Sequence, residues 1–294
     1  MKRQRVLGMF DSGVGGLTVM KEILAQIDNV RIVYVGDTAR VPYGNRTLEE
    51  LIRFGEEIIT FLISQGAEAI VVACNTSSAT ALPVLRERFD IPIIGMIEPG
   101  ARLAVEKTKQ GRIGLVATEA TVRSKAYSSA VSRALAKGVM PEDTALRAAW
   151  QSGEQPIALV KAQACPLFVP LVEAGLSSSA EAQGIARTYL APLQEAEVDT
   201  LILGCTHYPF LTPIIQEIMG ETVLLVDPAL AVVEELKEVL YRLDVRDAAE
   251  PLADVKTNWR VRYYVSGDPG LFAQVGNTLL QELIEDVRKV SWAE

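Results

Sequence analysis

Histidine and cysteine are scarce in this sequence, and their scarcity limits the kinds of site that it can hold. The 294 residues include one histidine and three cysteines, and the cysteines form no CxxC pair and no zinc-like spacing. We therefore expect no metal site, and an odd number of cysteines does not suit a disulfide framework. Reactive or buried thiols in a reducing compartment are what remain.

Long apolar runs and net positive charge are also missing. No stretch approaches the roughly 20 apolar residues of a membrane span, and the apolar run from Val6 to Phe10 breaks at Asp11, too early for a signal peptide. The net charge of −8 argues against a broad nucleic-acid-binding face. The sequence therefore predicts a cytoplasmic protein with no membrane partner and no direct nucleic-acid binding, in which local groups hold any anionic ligand.

The regular features that are present predict an α/β fold. Buried strand patterns alternate with amphipathic helices, which favours mainly parallel sheets, and the length favours two domains. We expect two similar α/β domains related by a pseudo-twofold axis, with an active site in the cleft between them. The first would comprise residues 1–97 plus 227–294 and carry Cys74, and the second would comprise 98–226 and carry Cys205.

Four finer expectations concern single segments. A helix is predicted from Ser77 to about Phe89, and a crossing between domains at Ile97-Glu98-Pro99-Gly100. The alanine-rich stretch from about 128 to 162 is interpreted as helices and loops. A terminal helix is predicted from Pro269 to Lys289.

Two apolar runs each end in a cysteine. Ala69 to Ala73 leads to Cys74-Asn75-Thr76, and Thr200 to Gly204 leads to Cys205-Thr206-His207. A thiol where a strand becomes a helix can have its pKa lowered by the helix macrodipole and the unpaired N–H groups. Two thiols on equivalent units suit a reaction in which one thiolate removes a proton from a carbon and the other thiol returns a proton to the opposite face.

A glycine-rich turn, Asp11-Ser12-Gly13-Val14-Gly15-Gly16, follows the first strand. It does not match a dinucleotide-binding fingerprint, because Thr18 occupies the place of the third glycine. Asp11 and Ser12 are the better candidates for ligand contact, since ligands of open α/β sheets bind at the carboxyl ends of strands. For Asp37, after the second strand, a capping role and a substrate contact both stay open.

Five motifs together resemble those of the bacterial glutamate racemases, a family of cofactor-independent amino-acid racemases. The resemblance covers nearly the whole chain and departs from it between about residues 134 and 162, where this chain is longer. The motifs, in order, are Asp11-Ser12-Gly13-Val14-Gly15-Gly16, Pro42-Tyr43-Gly44, Cys74-Asn75-Thr76, the segment from Ala164 to Glu173, and Gly204-Cys205-Thr206-His207-Tyr208-Pro209.

The resemblance implies that Cys74 and Cys205 are acid/base thiols that interconvert L- and D-glutamate without a cofactor. Asp11 would assist Cys74, while His207 and Glu173 would assist Cys205. The family also implies homodimers and a supply of D-glutamate for peptidoglycan, and hence for cell-wall biogenesis and cell shape. The substrate contacts that it implies are Asp11, Ser12, Tyr43, Gly44, Asn75, Thr76, Thr118, Thr206 and His207.

Other interpretations stay open beside this one. The third cysteine, Cys165, lies among apolar residues and is interpreted as a core residue. The thiol pair would also serve a racemase for aspartate or a hydantoin. A binding or regulatory role, such as inhibition of DNA gyrase, and a thiol redox protein with a Cys74–Cys205 disulfide are the alternatives outside the racemases.

Overall fold

The computed structural model describes residues 4–154, 156–247 and 259–292. By their mutual contacts the residues form two units, Met1–Gly95 with Val232–Glu294 and Met96–Ala231. The strands are β1 Arg5–Asp11, β2 Val30–Gly36, β3 Ala69–Val72, β4 Ile93–Gly95, β5 Arg112–Ala117, β6 Ala158–Ala164, β7 Thr200–Gly204, β8 Leu224–Val226, β9 Val261–Val265 and β10 Val287–Lys289. The helices are α1 Leu17–Gln26, α2 Leu48–Ser64, α3 Asn75–Thr80, α4 Leu82–Arg88, α5 Ile97–Lys107, α6 Glu119–Ser124, α7 Ala126–Ala136, α8 Thr144–Ser152, α9 Phe168–Glu173, α10 Ala180–Glu195, α11 Thr212–Met219, α12 Pro228–Arg246 and α13 Pro269–Leu280.

The first unit is built on a six-stranded sheet in the order β10-β9-β2-β1-β3-β4. Every neighbouring pair in it is parallel. The central strand β1 is buried along almost its whole length, as expected for a parallel sheet covered on both faces. Its carboxyl edge therefore brings together the residues that follow β1, β2 and β3, which are Ser12, Asp37 and the Ala73-Cys74 pair.

The second unit contains a four-stranded parallel sheet in the order β6-β5-β7-β8. Thr118, Cys165 and Cys205 directly follow β5, β6 and β7, so they share one edge of this sheet. Gly204 closes β7, and a Cβ there would lie 2.7 Å from Leu115 Cδ1 and 3.0 Å from the Val116 carbonyl oxygen. Only glycine allows β7 to approach β5 this closely just before the cysteine.

The α/β class with mainly parallel sheets is confirmed, and three finer expectations are corrected. The segment from Ser77 to Phe89 holds two helices, α3 and α4, because the chain breaks at Ala81 ahead of Pro83 in the first turn of α4. Residues 97–100 form the first turn of α5, and the division between the two units falls just before them, between Gly95 and Met96.

The other two corrections concern strands at sheet edges. The alanine-rich stretch contains the strand β6 as well as helices, and the expected terminal helix ends at Leu280, where Gln281 takes a left-handed conformation. Val287–Lys289 then forms the edge strand β10. Among the described residues, no helix is long and apolar enough to cross a membrane.

Candidate active site

Cys74 lies between β3 and α3, where it is the N-cap residue of the helix. Its side chain is 5% exposed, and its Sγ lies 3.8 Å from the Ser12 hydroxyl. Burial raises the pKa of the Cys74 thiol to about 11, and the nearby Asp11 carboxylate adds to the rise. Hydrogen bonds that join the sulfur to Ser77 and Ser12 oppose this rise without cancelling it.

The raised pKa corrects the expectation that the helix start would lower the pKa of this thiol. Desolvation and a like charge outweigh the helix N–H groups here. The Cys74 thiol is therefore protonated at neutral pH and can donate a proton. The neighbouring carboxylate makes the thiolate, once formed, a stronger base.

Asp11 ends β1 and is 1% exposed. Its Oδ1 accepts a hydrogen bond from the Gly13 backbone N–H at 2.9 Å, so the turn after β1 fixes the carboxylate. A Cβ on Gly16 would lie 2.6 Å from the Asp11 Cβ and 2.8 Å from the Tyr34 hydroxyl. The glycine is required because the start of α1 passes so close to this carboxylate.

Tyr43 and Gly44 lie in a short 3₁₀ turn, Tyr43–Asn45. The Tyr43 ring is buried, and its hydroxyl donates a hydrogen bond to the Asp37 carboxylate. Burial and the adjacent Asp37 carboxylate raise the pKa of Tyr43 well above its usual range. The side chain thus points into the protein and anchors the turn that carries Gly44.

Cys205 directly follows β7 and is 7% exposed. Its Sγ lies 3.9 Å from Nδ1 of His207, and Nε2 of the same ring lies 2.9 Å from Oε1 of Glu173. Glu173 is the last residue of α9, and its side chain is 45% exposed while the imidazole is buried. A carboxylate, an imidazole and a thiol therefore form a line of possible proton-transfer partners.

Around this line, Thr118 caps α6 by accepting a hydrogen bond from the Thr121 N–H, and Thr206 is buried beside Cys205. The Tyr208 hydroxyl donates a hydrogen bond to the Cys165 carbonyl oxygen at 3.1 Å. Cys165 is itself fully buried, and burial raises the pKa of its thiol. An inert core residue is the interpretation that these features favour.

The residues predicted from the sequence thus fall into two groups. One surrounds Cys74 at the carboxyl edge of the first unit's sheet and includes the buried Asn75 and Thr76. The other surrounds Cys205 in the second unit. In the described part of the chain, no group of three or more His, Cys, Asp or Glu side chains is arranged to hold a metal ion.

Sequence reasoning missed Ser77 and left Asp37 open. Ser77 is the third residue of the helix that Cys74 caps, the position whose N–H points back at an N-cap side chain, so capping geometry could have identified it. Asp37 is fully buried and accepts hydrogen bonds from side chains far apart in the sequence. No local sequence pattern signals such partners.

Comparison with known proteins identifies the family. The sequence profile of the family described as Asp/Glu/Hydantoin racemase matches residues 8–236. The chain belongs to this racemase family. It is therefore an amino-acid racemase, which is an isomerase.

Relatives in this family match almost end to end. The glutamate racemase of Desulforudis audaxviator is 44% identical over 284 residues, which cover 97% of each chain. The crystal structure of a glutamate racemase isoform from Bacillus anthracis matches with a TM-score of 0.83 at 35% identity, covering 98% of each chain. That of Francisella tularensis glutamate racemase in complex with D-glutamate matches with a TM-score of 0.79 at 32% identity, covering 99% of this chain and 98% of that one.

Proposed function

We propose that this racemase interconverts L- and D-glutamate without a cofactor, using Cys74 and Cys205 as its acid/base pair. The observation that carries the proposal is the setting of the two thiols. Each is buried at the carboxyl end of an interior parallel strand, one beside a carboxylate and the other beside a histidine. The names of the relatives, and the D-glutamate complex of one of them, support glutamate as the substrate.

In this mechanism one thiolate removes the α-proton of glutamate and the other thiol protonates the opposite face. Asp11 strengthens Cys74 as a base, because its charge raises the pKa of that thiol. His207, held by Glu173, exchanges a proton with Cys205. The two thiols exchange their roles when the reaction runs in reverse, since each enantiomer presents its α-proton to a different face.

Glutamate has two carboxylates, and the proposal assigns them to neutral donors. Ser12, Asn75, Thr76, Thr118 and Thr206 offer hydroxyl and amide groups, and helix starts offer backbone N–H groups, which bind carboxylates without lysine or arginine. Such preorganised donors also stabilise the carbanionic charge that forms when the α-proton leaves. An acidic protein can in this way bind an acidic substrate.

The biological setting is proposed from the same family membership. D-Glutamate made by this enzyme would enter peptidoglycan synthesis and so support cell-wall biogenesis and cell shape. We place the enzyme in the cytoplasm as a homodimer. Size-exclusion chromatography with light scattering checks the dimer directly.

The test follows the purified protein with L-glutamate in D₂O, without added cofactor, by circular dichroism and proton NMR. We expect optical activity to be lost while deuterium enters only at the α-carbon. Aspartate and a hydantoin serve as competing substrates. If either is racemised in preference to glutamate, the assignment of glutamate as the substrate would be wrong. If the optical signal stays unchanged with all three compounds, the proposed racemase activity would be wrong.

Single cysteine variants test the mechanism. Cys74→Ser and Cys205→Ser should each slow racemisation in both directions by at least about a thousandfold, because a serine hydroxyl is a far weaker acid than a thiol. Cys165→Ser is the matched control and should retain activity. If either Cys74→Ser or Cys205→Ser kept the wild-type rate, the two-thiol mechanism would be wrong, and a Cys74–Cys205 disulfide found by mass spectrometry during turnover would favour the redox alternative.

A further inference from the structure

Asp37 is a buried carboxylate that the proposed proton transfers do not use. It is fully buried, and its oxygens accept hydrogen bonds from the Trp292 indole N–H at 2.9 Å and from the Tyr43 hydroxyl. The Arg40 side chain forms an ion pair with it at 2.8 Å. Three donors of different shape therefore fix the orientation of one carboxylate, since a buried charge held in this way has few alternative positions.

Trp292 reaches Asp37 from the far end of the sequence. The strand β10 pairs with β9, and the Val290 N–H donates a hydrogen bond to the Val265 carbonyl oxygen at 2.8 Å, which holds the segment before the tryptophan. The indole packs edge-on against Phe61, with ring centroids 6.2 Å apart. The Arg40 guanidinium lies 5.0 Å from the centre of the indole ring.

At its other side Asp37 connects to the residues around Cys74. Its backbone N–H donates a hydrogen bond to the Asp11 carbonyl oxygen at 3.0 Å. Burial, Asp37 and the Cys74 thiol all raise the pKa of Tyr43, so this phenol lies within electrostatic reach of that sulfur. The Tyr43 hydroxyl gives its one hydrogen to Asp37, and the ring therefore serves as the anchor of the turn Tyr43–Asn45.

We propose that Trp292 is a positioning residue that acts through Asp37 on Tyr43, and so sets the place of the turn that carries Gly44 at the substrate site. The inference rests on the proposed function in one respect, that Tyr43 and Gly44 belong to the glutamate site. It predicts that loss of the indole N–H weakens substrate binding more than it slows proton transfer. Trp292 touches neither thiol in this scheme.

The test compares Trp292→Phe with wild type in both reaction directions. We expect the variant to raise KM for L- and D-glutamate about five- to tenfold, because an effect of this size corresponds to the loss of one hydrogen bond to a buried charge. We expect kcat to change by less than about twofold. Phenylalanine keeps the ring against Phe61, so thermal unfolding should stay close to that of wild type. The matched control is Trp259→Phe, which alters a tryptophan stacked on Arg31 and Arg262 and should leave KM unchanged.

Tyr43→Phe breaks the same connection at its other end. It should reproduce the rise in KM, and the double variant Trp292→Phe/Tyr43→Phe should match Tyr43→Phe alone, because both changes act on one connection. Effects that multiply in the double variant would overturn the proposal. So would a Tyr43→Phe or a Trp292→Phe protein with the KM of wild type. A wild-type protein that does not racemise glutamate would instead overturn the proposed function, which keeps the two failures distinct.

Discussion

At the scale of single residues, burial raises the proton affinity of the Cys74 sulfur, and the neighbouring Asp11 carboxylate raises it further. Replacing this carboxylate in Asp11→Asn removes a like charge, so the pKa of the Cys74 thiol should fall below about 11 toward the usual value of a thiol. The measurement is the ultraviolet absorbance of the thiolate as a function of pH. A Cys165→Ser/Cys205→Ser background makes Cys74 the only thiol in the protein.

The control for this titration is Asp90→Asn, which removes an exposed carboxylate. This variant should leave the pKa of the Cys74 thiol unchanged. If Asp11→Asn left the titration unchanged as well, burial alone would set the pKa and Asp11 would not act on this sulfur. The proposed assistance of Cys74 by Asp11 would then fail.

The sequence allowed the positions of the candidate site residues to be predicted, but not their protonation. Cys74 and Cys205 were recognisable because each follows a short apolar run and precedes small polar residues. The direction of the pKa shift at Cys74 was predicted wrongly, since a helix start lowers the pKa only where burial and nearby charge do not outweigh it. Those two quantities depend on the folded surroundings of the sulfur.

At the scale of secondary-structure elements, the start of α2 carries a complete capping box. Thr47 accepts a hydrogen bond from the Glu50 N–H, and the Glu50 carboxylate accepts one from the Thr47 N–H. Thr47→Ala should lower the free energy of unfolding by about 1 kcal/mol. Chemical denaturation measures this loss.

The same substitution further along the helix is the control. Thr60 lies on the exposed side of α2, where alanine is the better helix former, so Thr60→Ala should be neutral or slightly stabilising. Equal losses in the two variants would mean that the cap contributes nothing beyond helix propensity.

Elements with strong local signals were predicted, and elements that depend on tertiary pairing were not. The strands β3 and β7 were recognisable because each is a short continuous apolar run. The strand β6 lies at a sheet edge and is partly exposed along its length, so its alanine-rich sequence gave no buried-strand pattern. The three residues of β10 were assigned to a helix, because pairing with β9 decides their conformation and local propensity does not.

At the scale of the whole molecule, the α/β class was predictable because alternation of strands and helices needs no knowledge of distant contacts. Contacts between segments that are distant in the sequence could not be predicted in this way. Arg5, at the start of β1, is 2% exposed and forms ion pairs with Glu68, Asp244 and Asp247. Nothing in the local sequence indicates these partners, the farthest of which lies 242 positions away from Arg5.

Arg5 therefore connects the first strand of the first unit to the end of α12 and to the residue before β3. In Arg5→Met the three carboxylates keep their mutual repulsion and lose their shared cation. We expect the free energy of unfolding to fall by about 3 kcal/mol near neutral pH, less than for a fully buried network because Asp244 is 40% exposed and screened by water. Urea denaturation at several pH values measures the loss.

The pH dependence of this loss separates charge from packing. Hydrogen bonds from Arg246 and Arg5 hold the pKa of Asp247 below its usual range, so its stabilising contribution is present above the unfolded-state pKa of about 4 and is lost as the pH falls below it. The difference between wild type and Arg5→Met should therefore shrink in acid. Arg246→Met, at a side chain that is 68% exposed yet paired with the same Asp247, should cost less than about 1 kcal/mol. Equal costs in the two variants, or a loss in Arg5→Met that does not change with pH, would show that Arg5 stabilises the unit by packing and not by its charge.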